Sequence, residues 1–301
     1  MPSDADPSRA RRGLLLGVLG VVIFAMTLPM TRLAVGDAGA PQLPPAFVTA
    51  GRAALAGLLS IAYLLAVRAP RPARRHLPAL ALCALGTVVG FPLFLALALR
   101  RVDAMHAAVV TGVLPLGTAL VAALALRQRP SAAFWANAVL GCALVLGFAV
   151  WSGSGRASLA DGLLLAAVAS ASIGYVAGAR VAAALSAEQV ICWVLVLALP
   201  LTLPVALWVR PTAAVHASAW LGFGYVSVFS MWLGFFAWYR GLNLGGVVRV
   251  SQVQLLQPFL ALLFAVPVLG ERLRPPTLVF ALAVMGVVFI GRKLPVSRPA
   301  H

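Results

Sequence analysis

Gln254 and Gln257 stand three residues apart in an apolar stretch, so on a helix both amides, together with Ser251, lie on nearly one face. An amide donates and accepts, so one placed deep in an apolar protein can meet both a carboxylate and an ammonium. The competing role is an interhelical hydrogen bond, worth about 0.6 kcal/mol in membrane proteins. Trp232 and Tyr175 also fall in the middle of apolar stretches, where an indole N–H or phenol needs a partner. They either pack between helices or line a cavity for an apolar group. Met26 and Met30 share a helical face and suit a pocket for varied apolar groups, although core packing is the favoured role. His106 either senses pH or ends a helix at an interface, the favoured role. Arg52 either neutralises a carboxylate or serves structure by snorkelling or capping, and structure is favoured.

The missing chemistry is equally informative. All seven acids fall outside the interiors of the apolar stretches. A mid-membrane carboxylate is the usual proton relay or cation counter-charge, so neutral or zwitterionic solutes are expected. Glu271 is expected to pair with Arg272 and Arg274 beside it. No Ser–His or carboxylate pair points to an enzyme, and no charged ring or carbonyl filter points to a channel. Cys83, Cys142 and Cys192 all lie in apolar runs and form neither a disulfide framework nor a metal-ligand spacing, so no metal or cofactor is expected.

These residues sit in a chain of 301 residues that is 62% apolar and 10% charged, far from the roughly 25% charged of a soluble domain. Ten stretches of bilayer-spanning length are legible: Gly13–Ala34, Ala46–Val67, Leu77–Ala98, Met105–Leu126, Ala132–Val150, Leu163–Ala182, Gln189–Val209, Ala219–Tyr239, Val248–Leu269 and Thr277–Gly291. The fold class is thus all-α and integral to the lipid bilayer. The net charge of +16 does not indicate nucleic acid, because the basic residues lie between apolar runs. With a cytoplasmic N-terminus, fifteen Lys and Arg fall inside and six outside, which places both termini in the cytoplasm. Arg100-Arg101 is the weakest point of that count. Arg11-Arg12 are read as an anchor for the first span rather than an export signal. Trp151, Trp208 and Trp220 are expected at the outer interface, and Trp135, Trp193 and Trp238 at the inner one.

The chain also repeats. Gly13-Leu14-Leu15-Leu16 returns as Gly162-Leu163-Leu164-Leu165, and Phe94 to Gln128 matches Ala237 to Glu271 without a gap. This register pairs Thr111 with Gln254, Pro115 with Pro258 and Gln128 with Glu271. Two halves, 1–151 and 152–301, then hold five spans each. Because five is odd, the second half enters the membrane inverted, as in secondary transporters with a midplane site. Pro29, Pro92, Pro115, Pro200, Pro204, Pro258 and Pro267 fall within spans and break helical hydrogen bonding there. Gly86–Gly90 and Gly174–Gly178 are both GxxxG, a weak signal for close helix approach. Spans five and ten are uniformly apolar and are read as facing lipid or a second copy of the chain.

With Arg52, Asp161-Gly162-Leu163-Leu164-Leu165, Tyr239-Arg240-Gly241-Leu242, Pro258 and Leu269-Gly270-Glu271-Arg272-Leu273 in view, the chain resembles the EamA-type ten-span branch of the drug/metabolite transporter superfamily. The resemblance covers nearly the whole chain. One departure is Gln128, where the first half often carries Glu. The resemblance implies an inner-membrane carrier of small metabolites working by alternating access, with some members exporting amino acids, aromatic ones included. Multidrug and nucleotide-sugar-type solutes are the alternative substrate classes.

Overall fold

The computed structural model describes residues 7–125, 129–152, 158–182, 185–245, 250, 252–291 and 296–297. Its helices are α1 (Pro7–Ala25), α2 (Thr27–Val35), α3 (Pro45–Ala66), α4 (Leu77–Cys83), α5 (Phe91–Leu99), α6 (Ala104–Thr111), α7 (Leu114–Ala125), α8 (Ala132–Ser152), α9 (Leu159–Val181), α10 (Ala187–Trp208), α11 (Ala217–Tyr225), α12 (Gly234–Gly245), α13 (Gln257–Leu269) and α14 (Pro275–Gly291). Eight continuous stretches among them are long and apolar enough to cross a membrane. The shorter α13 and α14 fall where the sequence places spans nine and ten. Strand pairing among the described residues is limited to a two-residue antiparallel ladder, Arg129–Pro130 with Val296–Ser297, and an isolated antiparallel bridge between Gly36 and Pro41. Leu58, Leu65, Leu146, Leu201, Leu207, Leu263 and Leu282 are exposed, as lipid-facing residues must be. Trp208, Trp151, Trp220 and Trp135 are exposed.

Proline sets most of the helix breaks. It lacks the N–H that would bond to the carbonyl four residues earlier. Pro29 thus frees the carbonyl of Ala25, where α1 gives way to α2. Pro115 frees that of Thr111, where α6 ends. Pro258 frees that of Gln254, which lies in a 3-10 turn, Gln252–Leu256, ahead of α13. Span nine is therefore not one α-helix over its described residues. Two π-helical segments, Ala84–Gly90 and Val226–Leu233, interrupt spans three and eight. Carried upstream, the gapless register sets Ala84–Gly90 on Ser227–Leu233, so both halves widen their third helix at the same place.

Helix starts are capped where the chain offers a cap. Ser158 and Asp161 form a reciprocal capping box that opens α9. Span six thereby begins at Leu159 and takes Asp161, buried, into its first turn, at the end of the span and not in its interior. Gly270 closes α13 in the left-handed conformation that favours glycine.

The packing joins the two halves helix to helix. Span one (α1) lies along span eight (α12), and span three (α4, π segment, α5) along span six (α9). Span two (α3) pairs with span seven (α10), span four (α6) with span nine (α13), and span five (α8) with span ten (α14). Two of these crossings run glycine on glycine. A Cβ at Gly86 would stand 2.4 Å from the Ser170 carbonyl oxygen and 2.7 Å from Gly174 Cα. One at Gly241 would stand 2.6 Å from Gly17 N. The GxxxG stretches of spans three and six do meet each other.

Candidate functional site

A cavity of about 920 Å³ lies between the halves. Its walls come from spans one, two, three, four, six, seven, eight and nine, as shown by Thr27, Arg52, Thr87, Thr118, Tyr175, Val190, Trp238 and Gln254. A recess of about 240 Å³ opens beside it between the two proline breaks of spans four and nine, lined by Thr111, Pro115, Gln254 and Pro258. Tyr175, Gln254 and Gln257 line both spaces.

Two kinds of side chain line the cavity. Phe24, Phe91, Phe235, Trp238 and Tyr239 supply aromatic walls, with Phe24 edge-on to Phe235 at 5.0 Å between centroids. Arg52, Thr27, Thr87 and Ser230 supply polar groups. Arg52 Nη2 donates to Ser230 Oγ at 3.0 Å, and Ser230 Oγ lies 2.8 Å from Thr27 Oγ1. Thr87 and Ser230 occupy the two π segments at matching places in the repeat. A π turn is common at functional sites because it reaims side chains out of the α-helical phase. No acid lines either space among the described residues.

The cavity reaches the connection between α9 and α10, where Ala182 and Ser186 are exposed. On the opposite face, which carries Glu271, several contacts join the halves. Glu271 accepts from the backbone N–H of Ala104 (2.7 Å) and of Met105 (2.8 Å) at the start of α6. His106 Nε2 lies 2.6 Å from Asp161 Oδ1, and His106 Nδ1 lies 3.0 Å from Ser152 Oγ. The His216 N–H donates to Gln42 Oε1 at 3.0 Å. A Cβ at Gly222 would stand 2.5 Å from the Met30 carbonyl oxygen. Burial pushes the Glu271 carboxyl up from its ordinary value, and Asp103 adds to that, against the two amide hydrogen bonds. On the same face Arg32 donates to the carbonyls of Leu99 and Val102. Arg100 donates to those of Val35 (3.3 Å) and Leu43 (3.1 Å). Its place in the count of charges thus has a local structural cause, bonds to the carbonyl that ends α2 and to one in the connection ahead of α3.

The structure brings together four residues singled out from the sequence, Gln254, Gln257, Tyr175 and Thr111. Ser251 lies outside the described residues. Several others are placed differently. Trp232 is packed against Tyr63 and Phe236, at centroid distances of 6.3 and 4.9 Å, and does not line the cavity. Met26 and Met30 do not line it either, and Met30 packs into the apolar core. His106 is engaged by Asp161 and Ser152 at the Glu271 face, away from the cavity lining. Glu271 makes its bonds to α6 rather than to Arg272 or Arg274. Trp238, expected in the inner interfacial belt, is 8% exposed and forms part of the cavity wall. Trp193 is likewise drawn inward, onto the core beside spans two and seven.

These placements give a test. Gln254→Ala is expected to lower transport about tenfold while leaving the amount of folded protein unchanged, since it removes a polar group of the cavity wall and not core. Trp238→Ala is expected to lower both, since Trp238 lines the cavity and also packs in a buried cluster with Val21, Val250 and Val253. Trp232→Ala is expected to act through a lowered thermal midpoint, because it empties a packed aromatic cluster. Flux and thermal unfolding of the same preparations separate the two behaviours.

An all-helical bundle with a lipid-exposed apolar surface, enclosing a solute-sized cavity, defines a multi-pass membrane protein. The model of the EamA-like transporter family matches residues 11–150 and again 158–292. The chain belongs to that family. It is 42% identical over 288 residues to the uncharacterized transporter YdeK of Bacillus subtilis (strain 168), covering 95% of this chain and 99% of that one. It is 29% identical over 281 residues to a probable terminal-alkyne amino-acid exporter of Streptantibioticus cattleyicolor, covering 92% of each. A protein of known crystal structure shares the fold with a TM-score of 0.62 at 20% identity, over 93% of this chain and 96% of that one.

Proposed function

We propose that this transporter is a ten-span secondary carrier of the inner membrane that exports small metabolites, foremost amino acids with apolar or aromatic side chains. The observation that carries the proposal is the cavity: about 920 Å³, lined by both aromatic and polar side chains, and held between the halves. Its size suits one small solute. The family match in two segments and the amino-acid exporter among the relatives support the same reading.

The architecture we propose is two inverted five-helix repeats, 1–151 and 152–301. The packing supports it, because exchanging each span with its counterpart in the other half maps the pair one–eight onto six–three and leaves two–seven, four–nine and five–ten unchanged. A two-fold relation between the halves produces that pattern, and the matched π segments obey it too. The charge count then puts both termini in the cytoplasm and the Glu271 face outside. The described conformation corresponds to a carrier closed outward and open to the cytoplasm beside Ser186. Alternating access proceeds by rocking of the halves, with the proline and π breaks absorbing the bend.

Purified protein in liposomes tests this by uptake and counterflow of labelled L-phenylalanine, L-leucine and other amino acids. Saturable counterflow of an apolar amino acid is expected. No flux of any amino acid, alongside flux of a dye or a nucleotide sugar, would overturn the substrate class.

A further inference from the structure

Arg52 is a buried cation without a counter-charge. Its residue is 3% exposed, yet it borders the cavity two turns into α3. One of its nitrogens donates to Ser230, and its Nε–H has no hydrogen-bond partner. Among the described residues no carboxylate pairs with it; the ion pairs there are those of Arg32 and of His106. Removing a guanidinium from water without an anion is strongly unfavourable, and such a charge inside a membrane protein marks a solute path. A guanidinium also presents a planar fork of donors that matches a carboxylate bidentately.

We infer that Arg52, flanked by Ser230 and Thr27, is the anchor for the carboxylate of the transported solute, and that the cavity selects for that carboxylate rather than for an ammonium group. The inference rests on the transporter reading above and deepens it. The solute's charge completes the missing ion pair. Its apolar body then lies against the aromatic wall of Phe24, Phe235 and Trp238. An α-ammonium meets only uncharged acceptors there, among them Gln254 and Gln257, because no acid borders the space. A carboxylic acid lacking the amino group therefore binds about as well as the amino acid, and an organic cation is excluded by like charge.

The test uses the purified full-length protein in detergent and reads the thermal midpoint with four related probes at equal concentration: L-phenylalanine, 3-phenylpropionate, L-phenylalaninamide and phenethylamine. The two carboxylates are expected to raise the midpoint, and the amide and the amine to leave it unchanged. Arg52→Met is expected to weaken carboxylate binding by roughly 100-fold, abolishing the shift. Its ligand-free midpoint is expected to equal or exceed that of the unsubstituted protein, because an uncompensated buried charge has been removed. Arg52→Lys is expected to restore part of the affinity. Equal shifts from the amide or the amine, no shift from either carboxylate, or carboxylate shifts retained in Arg52→Met would each overturn the inference. So would a ligand-free midpoint that falls in Arg52→Met, since that is the mark of a purely structural arginine. Flux in liposomes fails separately: amino-acid counterflow that persists in Arg52→Met would leave the transporter reading intact while removing Arg52 from the site.

Discussion

Gly86→Ala is expected to lower the thermal midpoint sharply, and Gly86→Leu to leave almost no folded protein in the membrane, whereas Gly286→Ala and Gly147→Ala change little. The difference lies in what an added methyl meets. At Gly86 it would stand 2.4 Å from a backbone oxygen and 2.7 Å from the Cα of Gly174 on the facing helix. At Gly147 and Gly286 it meets nothing within 4 Å. Overpacking costs about 1–3 kcal/mol where side chains can yield. Here the obstacles are backbone atoms of a packed helix, so the upper part of that range or more is expected. Close approach of two helices also has particular weight in lipid, where no hydrophobic gain opposes their separation and contact is maintained by van der Waals packing. The same reasoning applies to Gly241 against Gly17 at the corresponding crossing of spans one and eight. Thermal unfolding in detergent, with membrane-inserted yield as a second reading, checks both positions. A Gly86→Ala protein as stable as Gly286→Ala would mean that the two helices separate at no cost, and the tight three–six crossing would be wrong.

Those glycines show what local pattern conveys well. Spacing of small residues, prolines and apolar runs describes the chain's own backbone, so breaks at Pro29, Pro115 and Pro258 and the amides beside them were legible. Trp232 and Trp238 show where such reading fails. Both were read by depth along the span, which does not say toward which neighbour a ring turns. Residues 226–233 moreover wind as a π-helix, with more residues to the turn, so a phase of 3.6 residues per turn does not supply that direction either. Trp232 takes the packing role left open for it, beside Tyr63, and Trp238 lines the cavity. Arg52 was ambiguous for another reason. Depth along a helix follows from sequence position, but whether a side chain meets lipid, a carbonyl or a cavity depends on which helices stand beside it. Glu271 is the extreme case: two arginines adjoin it in sequence, while its real partners are amides of Ala104 and Met105 in the other half.

Glu271→Ala is expected to release the outer face. The carboxylate holds the first N–H groups of α6, a helix N-terminus whose partial positive charge it also meets. Ala104 and Met105 are buried, so their amides are poorly placed to bond with water instead. An unsatisfied buried N–H costs about 1–3 kcal/mol, and losing two weakens the closed outer face by roughly 2–6 kcal/mol in all. At 1.4 kcal/mol per factor of ten, that shifts the balance between closed and open by about 30-fold at the least and by roughly ten-thousandfold at the upper end. Because α6 runs from this contact to Thr111 at the recess, freeing its start also loosens the wall of the site. The reading is the rate at which Phe91→Cys, a cavity-wall position in a background without the three native cysteines, reacts with a membrane-impermeant thiol reagent added outside intact cells. Glu271→Ala is expected to speed that reaction at least tenfold. Glu271→Gln, which keeps one carbonyl acceptor, is expected to fall between Glu271→Ala and the unsubstituted residue. Substituting Arg101, which is exposed on the same face, is the control and should leave the rate unchanged. A purely structural carboxylate would lower the thermal midpoint without altering labelling from outside, and that result would remove Glu271 from the gate.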